Sequence, residues 1–198
     1  MYVRQVKEQT LTFGVSGRLW RENLVMTDRQ THSWWAQATG TSISGKFKGA
    51  TLKMYTNFSM MTWKEWVADH PNTLVLSKRT RRGMEGMAMG YTDYHRSSRI
   101  GVTGQLRFND KQLPAKARVL GFRIDDQPYA VDLVALARKG SITTMTSVGK
   151  AVKIVGTRDG IGGQVFVASD GKQEQVPSSV SYWFAWRAFF PATEIIRP

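Results

Sequence analysis

The sequence predicts a mostly β protein (β-rich α+β) of two related β units, each ending in a short Trp-rich helix. Three observations lead to that fold class: runs of β-formers punctuated by Gly, Ser and Asn in both halves, a switch to helical spacing at two places, and one aromatic motif that recurs at a constant offset.

The first unit spans residues 1–77. Its opening stretch, MYVRQVKEQTLTFGVSG, alternates as a strand does and lacks the apolar core of a signal peptide. LTFGVSG, NLVMTDRQT and TSISGKFKGATLKMY follow as short strands broken by turn residues. From Thr62 to His70 (TWKEWVADH) the period changes. Trp63 and Trp66 stand three apart with Val67 beside them and Pro71 closing the segment, which predicts a short amphipathic helix.

Residues 78–117 read as a basic connector, because KRTRRGMEGMAMGYTDYHRSSRIGVTG sustains neither period and should form an ordered loop. The second unit occupies 118–198. RVLGFRI and YAVDLVALARKG flank a turn over Asp125 to Pro128, the pattern of a hairpin, and KAVKIVGTRDG and GGQVFVASDGK add further strands. Val131 to Arg138 admits a second reading, a short helix stopped by Gly140 with Arg138 and Lys139 at its end. Gly156 to Gly163 (GTRDGIGG) has neither nucleotide-loop spacing and reads as hairpin turns.

The tail, SSVSYWFAWRAFFPATEI, repeats the first helical segment. Trp63, Trp66, Pro71 and Thr73 recur as Trp183, Trp186, Pro191 and Thr193 at a constant offset of 120 residues, which implies an internal repeat packed about a shared core. In each copy W-x-x-W sets two rings on one helical face, an anchor for the helix on a sheet, so Trp66 and Trp186 are both expected to be buried.

Composition narrows the function classes. Twenty-eight Lys and Arg against fifteen Asp and Glu give a net charge of +13, which favours an anionic partner such as an anionic polymer or an acidic protein. Between Lys78 and Arg118 ten Lys and Arg face only Glu85, Asp93 and Asp110, so over half the excess sits there. The absence of cysteine removes disulfides, thiolate nucleophiles and Cys-based metal sites from these 198 residues. No apolar stretch is long enough to be a transmembrane segment.

LTFGVSG, LVMTDRQTHSWWAQATG, TWKEWVADHPNTLVLS and LPAKARVLGF together resemble domain-of-unknown-function family 3179 over nearly the whole chain. The most specific parts are Gly14 to Gly17, Asp28 to Thr31, Trp35, Gln37, Gly40 and Trp66 to Pro71. The resemblance assigns no activity. It implies that a C-P-L-C motif lies in a strand just upstream of the segment matching Met1 to Thr10, and that the protein is exported if a signal sequence precedes Met1.

Two clusters are the candidate binding residues. Asp28, Arg29 and Gln30, followed by Trp35 and Gln37, place an acid, a guanidinium and an amide in succession; Asp28 would orient Arg29 toward a carboxylate or phosphate, or would simply accept turn amides. Tyr94, His95 and Arg96 interleave aromatic and basic groups, and with Lys78, Arg79, Arg81, Arg82 and Arg99 they form a candidate patch for an anionic partner. Glu65, Asp69 and His70 look like acid–base groups, but the second copy replaces them with Ala185, Phe189 and Phe190, so that helix is read as packing. Met84, Met87 and Met89 are read as adaptable packing.

The expectation is a non-catalytic binding or assembly module with a basic face, no catalytic residue, no metal and no cofactor, in a chain that leaves room for a homo-oligomer or larger assembly. The alternatives are a thiol-redox or other enzyme whose key residues lie upstream of Met1, and a nucleic-acid-binding protein.

Overall fold

The computed structural model describes residues 1–55, 59–75, 91–101, 108–169 and 172–198. It is β-rich. In the first unit β1 (Gln5–Val6) and β2 (Gln9–Thr10) make a two-residue ladder, and β3 (Phe13–Trp20), β4 (Asn23–Asp28), β5 (Trp34–Ala36) and β6 (Thr41–Ser44) form an antiparallel meander. The β3–β4 register shifts between Val15 and Arg18. The irregularity is accommodated by Gly17 at φ +74, where a side chain would be strained, and this gives the Gly14 to Gly17 run its physical reason. Helix α1 (Trp63–Asp69) follows, capped by the Thr62 hydroxyl, which accepts the Glu65 amide at 3.3 Å.

Helix α2 (Tyr91–Arg96) lies within the span read as a loop; at six residues it is too short to show a helical period. In the second unit β7 (Arg118–Ile124) and β8 (Gln127–Asp132) pair through a two-residue turn in which Asp125 and Asp126 both take positive φ, 46° and 67°. Pro128 is therefore not in the turn but in β8, opposite Arg123. The pair beside the turn closes Ile124 on Gln127, so the nitrogen of Pro128 faces away from β7 and its missing N–H interrupts nothing there.

Helix α3 (Leu133–Lys139) starts on Asp132, whose carboxylate accepts the Ala135 amide at 2.8 Å, and stops at Gly140. The helical reading of Val131 to Arg138 holds from Leu133 onward, while Val131 and Asp132 belong to β8. A second meander follows: β9 (Ser141–Met145), β10 (Ala151–Gly156), β11 (Gly163–Ser169) and β12 (Lys172–Val176). The chain then returns through β13 (Ser178–Tyr182), α4 (Trp183–Phe189) and β14 (Glu194–Ile196), and the third sheet has the order β13-β7-β8-β14 with β14 parallel to β8.

Strand β7 is buried on both faces, and its period of two sorts the side chains. Leu120, Phe122 and Ile124 enter a core with Tyr129, Val131, Leu136, Val152, Ile154 and Val165. Val119 faces the other way, into a cluster with Ala130, Trp183 and Trp186. The first unit has its own core of Val6, Leu11, Trp35, Phe47 and Leu52. Among the described residues the buried apolar clusters do not merge into the shared core expected from the repeat.

The two units hold each other at reciprocal points. Arg21, in the β3–β4 turn, donates to the Ala188 carbonyl of α4, and Trp20 meets Phe189 edge to face at 5.3 Å. In the other direction the β10–β11 loop grips α1: Asp159 accepts the Thr62 amide at 2.7 Å, and Glu65 accepts the Arg158 amide at 2.8 Å. Hydrogen bonds from Thr62, Ile161 and Thr157 overcome the opposing effect of desolvation and hold the Asp159 carboxyl well below the usual range.

The two W-x-x-W elements share their local geometry. Trp66 Nε1 donates to Thr73 Oγ1 at 2.8 Å and Trp186 Nε1 to Thr193 Oγ1 at 2.9 Å; the rings lie 4.1 Å from His70 and 4.3 Å from Phe190. Burial differs. Trp186 is 6% exposed and Trp183 fully buried, whereas Trp66 is 39% and Trp63 57% exposed. The expectation that Trp66 is core fails, because among the described residues nothing gives α1 the cover that β7 gives α4.

Candidate anion-binding site

The sequence clusters separate in space. Asp28, Gln30 and Trp35 fix the β4–β5 loop. Asp28 is fully buried and accepts the Thr31 amide at 2.6 Å, the Ser33 amide at 3.1 Å and Trp35 Nε1 at 3.0 Å, with the Thr31 hydroxyl at 2.9 Å. Burial alone would favour the neutral acid, but these donors outweigh it and hold the carboxyl below the ordinary aspartate range. A relay continues outward: Thr31 Oγ1 meets Ser33 Oγ at 2.7 Å, which accepts the Phe47 amide at 3.2 Å. Gln30 accepts the Thr12 amide at 3.0 Å, and the Arg29 amide donates to the Thr12 carbonyl at 2.8 Å. With its oxygens taken by the loop, Asp28 does not orient Arg29.

Gln37 stands apart from that loop, at a cleft of about 800 Å³ where the units meet. Met26, Met54, Met60, Trp186 and Phe189 make this cleft chiefly apolar, and among the described residues no Lys or Arg lines it.

Tyr94 and His95 come together with residues that the sequence reading did not single out. Helix α2 presents both rings toward the end of β13. His95 Nδ1 shares a hydrogen bond with the Tyr182 hydroxyl, and the rings of Tyr94 and Tyr182 lie 6.4 Å apart at 63°. Lys116 reaches the end of α2, donating to the carbonyls of Tyr94 and, at 2.8 Å, Ser97. Its ammonium stands 3.8 Å from the centre of the Tyr94 ring.

The electrostatics are those of crowded cations. Partial desolvation and the charge of Arg99 lower the Lys116 pKa. Burial and the neighbouring Tyr94 raise that of Tyr182, against the pull of Arg118. Arg96, Arg99 and Arg118 are exposed. Among the described residues the ion pairs are Arg123 with Asp126 and Arg187 with Asp110, so no described carboxylate pairs with Arg96, Arg99, Lys116 or Arg118. Asp110, the nearest acid in sequence to Lys116, is engaged by Arg187 at 2.6 Å and by Trp183 Nε1 at 3.2 Å.

Lys78, Arg79, Arg81 and Arg82, the other bases of the expected patch, lie outside the described residues, as do Met84, Met87 and Met89. Tyr182 and Lys116 had one available signal. Tyr182 occupies the helix-capping position where the first copy has Thr62, a departure from the repeat at an otherwise matching element. Among the described residues no three His, Asp or Glu stand close enough to hold a metal ion, and no helix is long and apolar enough to cross a membrane.

Residues 1–193 match the model of a family described as Protein of unknown function (DUF3179), and the chain belongs to that family. No curated protein and no solved structure matches it.

Proposed function

We propose that this member of the family is a binding module, and that the cluster of Tyr94, His95, Arg96, Arg99, Lys116, Arg118 and Tyr182 takes anionic groups of a polymeric or acidic partner. The observation that carries the reading is Lys116 held by the Tyr94 and Ser97 carbonyls at the end of α2, next to the exposed Arg96 and Arg99 in the chain, with no described carboxylate paired to any of the three. Like charges brought together are stabilised by an anion, and guanidinium groups offer a carboxylate or phosphate two donors at once. The rings of Tyr94 and Tyr182 beside these bases add aromatic contacts for a sugar or base. A net charge of +13 extends the attraction beyond touching distance.

Heparin chromatography tests the reading. The double variant Arg96→Gln, Arg99→Gln is expected to elute at lower salt than the unaltered chain, with the slope of log affinity against log salt falling by about 0.9 for each anionic group no longer neutralised. Both side chains are exposed, so stability should move by no more than about 0.5 kcal/mol. The control, Lys7→Gln with Lys46→Gln, removes two exposed bases from the first unit and should leave elution nearly unchanged. Equal weakening in both variants would show the charge to be diffuse and overturn the assignment.

A further inference from the structure

We propose that the exposed aromatic face of α1 docks a β-hairpin of the β7–β8 type, supplied by polypeptide outside these 198 residues, with a glycine set against Trp66. The argument is a comparison within one molecule. Around α4 four things are in place. Gly121 of β7 lies under the Trp186 ring so closely that a Cβ there would stand 2.5 Å from it. Val119 and Ala130 cover Trp183. The first amides of the helix, Trp183 and Phe184, donate to the carbonyls of Ala117 and Ala115 at 2.8 and 2.9 Å. The strand after the helix, β14, pairs with β8.

Helix α1 has the same indole bond to a threonine seven residues on, the same closing turn and the same ring stack. All four surroundings are missing among the described residues. No described carbonyl accepts the Trp63 or Lys64 amide, and no described strand pairs with residues 73–75. Leu74 and Val75, which stand where β14 begins in the second copy, are 96% and 69% exposed. Together with Trp63 and Trp66 they place four large apolar side chains in water along one short helix and the segment that follows it, a concentration that marks an interaction surface. The β10–β11 loop already holds Glu65 and the capping Thr62, so that part of α1 is spoken for.

The occupant follows from what remains unmet. A second copy pressing its own Trp63 and Trp66 against this face would cover the rings yet leave the amides of Trp63 and Lys64 and the backbone of residues 73–75 without partners. A hairpin supplies both. Its apolar alternation covers the rings, and its edge offers a strand for residues 73–75 to join. The glycine is expected by analogy, because Trp66 is held by Thr73 as Trp186 is by Thr193, and a Cβ at Gly121 would stand 2.5 Å from the Trp186 ring.

The test titrates the chain with a peptide of Arg118–Asp132, cyclised across its paired ends so that the hairpin is preformed. The Trp63 and Trp66 indole N–H resonances are followed by NMR. Saturable shifts of both are expected. Trp66→Ala in the chain should lower affinity tenfold or more, and so should Gly121→Val in the peptide. Circular dichroism of the Trp66→Ala chain should be unchanged, since that ring is partly exposed. Absence of binding, or equal binding by the valine peptide, would overturn the proposal. So would self-association of the chain alone, seen by sedimentation together with protection of the Trp66 indole, which would make a second copy the occupant.

Discussion

Trp186→Ala is expected to destabilise the chain by about 3–5 kcal/mol, the range for emptying a large aromatic site in a core. Trp66→Ala, the same change at the matching helix, should cost about 1 kcal/mol, the ordinary size for a partly exposed position. The contrast follows from cover. Trp186 is 6% exposed, seated on Gly121, tied to Thr193 and packed in a cluster with Val119 and Ala130, so its removal leaves a void over the Gly121 backbone and strips these contacts. Trp66, at 39% exposed, keeps its indole bond and its stacking on His70, but no described strand lies against it as β7 lies against Trp186. Urea unfolding of both variants at neutral pH measures the difference. Equal destabilisation would mean that Trp66 has cover beyond the described residues.

Asp28→Ala should cost about 3 kcal/mol or more, because it leaves the Thr31 amide, the Ser33 amide and the Trp35 indole N–H without an acceptor in a site closed to water. Asp28→Asn should lose somewhat less. Its oxygen still serves Thr31, but its amide nitrogen presents a donor to the donors of Ser33 and Trp35. The pH dependence separates charge from shape. The folded carboxyl titrates below its unfolded value, so its stabilisation is fully present above about pH 4 and is lost as pH falls through the depressed folded pKa. The asparagine chain should lack this part of the acid limb, so the gap between the two chains narrows toward acid. Parallel stability curves would show that Asp28 carries no charge-dependent share.

Much of the fold was legible in the sequence because local chemistry decided it. The hairpin of β7 and β8 was announced by two Asp between apolar runs, and Asp is among the side chains that tolerate positive φ. The α3 segment carried its own cap, Asp132, and its own stop, Gly140. The W-x-x-W helices were readable from spacing. What failed was the inference from an apolar face to a buried one, for a helix specifies which side is greasy but not that something lies against it. The candidate site was legible only in part: Tyr94, His95, Arg96 and Arg99 stand together in the sequence, but Lys116 and Tyr182 meet them across long stretches of chain, and no local pattern encodes that meeting. Helix α2 was missed for want of length. The Asp28 segment was read correctly as a place where polar groups are fixed, and its turn reading is the one that the geometry supports, since Thr31, Ser33 and Trp35 occupy both carboxylate oxygens.

The placing of β13 against β7 governs the order in which the second unit can assemble. Ser178 pairs with Phe122, and everything from β8 to β12 lies between them in the chain. That interval contains a meander whose strands pair only with sequence neighbours, so it can form early with little loop-closure entropy. The sheet of β13, β7, β8 and β14 cannot finish until residues 178–196 have been made. During synthesis, then, the hairpin of β7 and β8 waits with Val119, Gly121 and Ala130 uncovered until Trp183 and Trp186 leave the ribosome. Pulse-labelled hydrogen exchange during refolding should accordingly find the amides of β10 and β11 protected before those that β7 shares with β13, and the rate of the late phase reports the docking of α4.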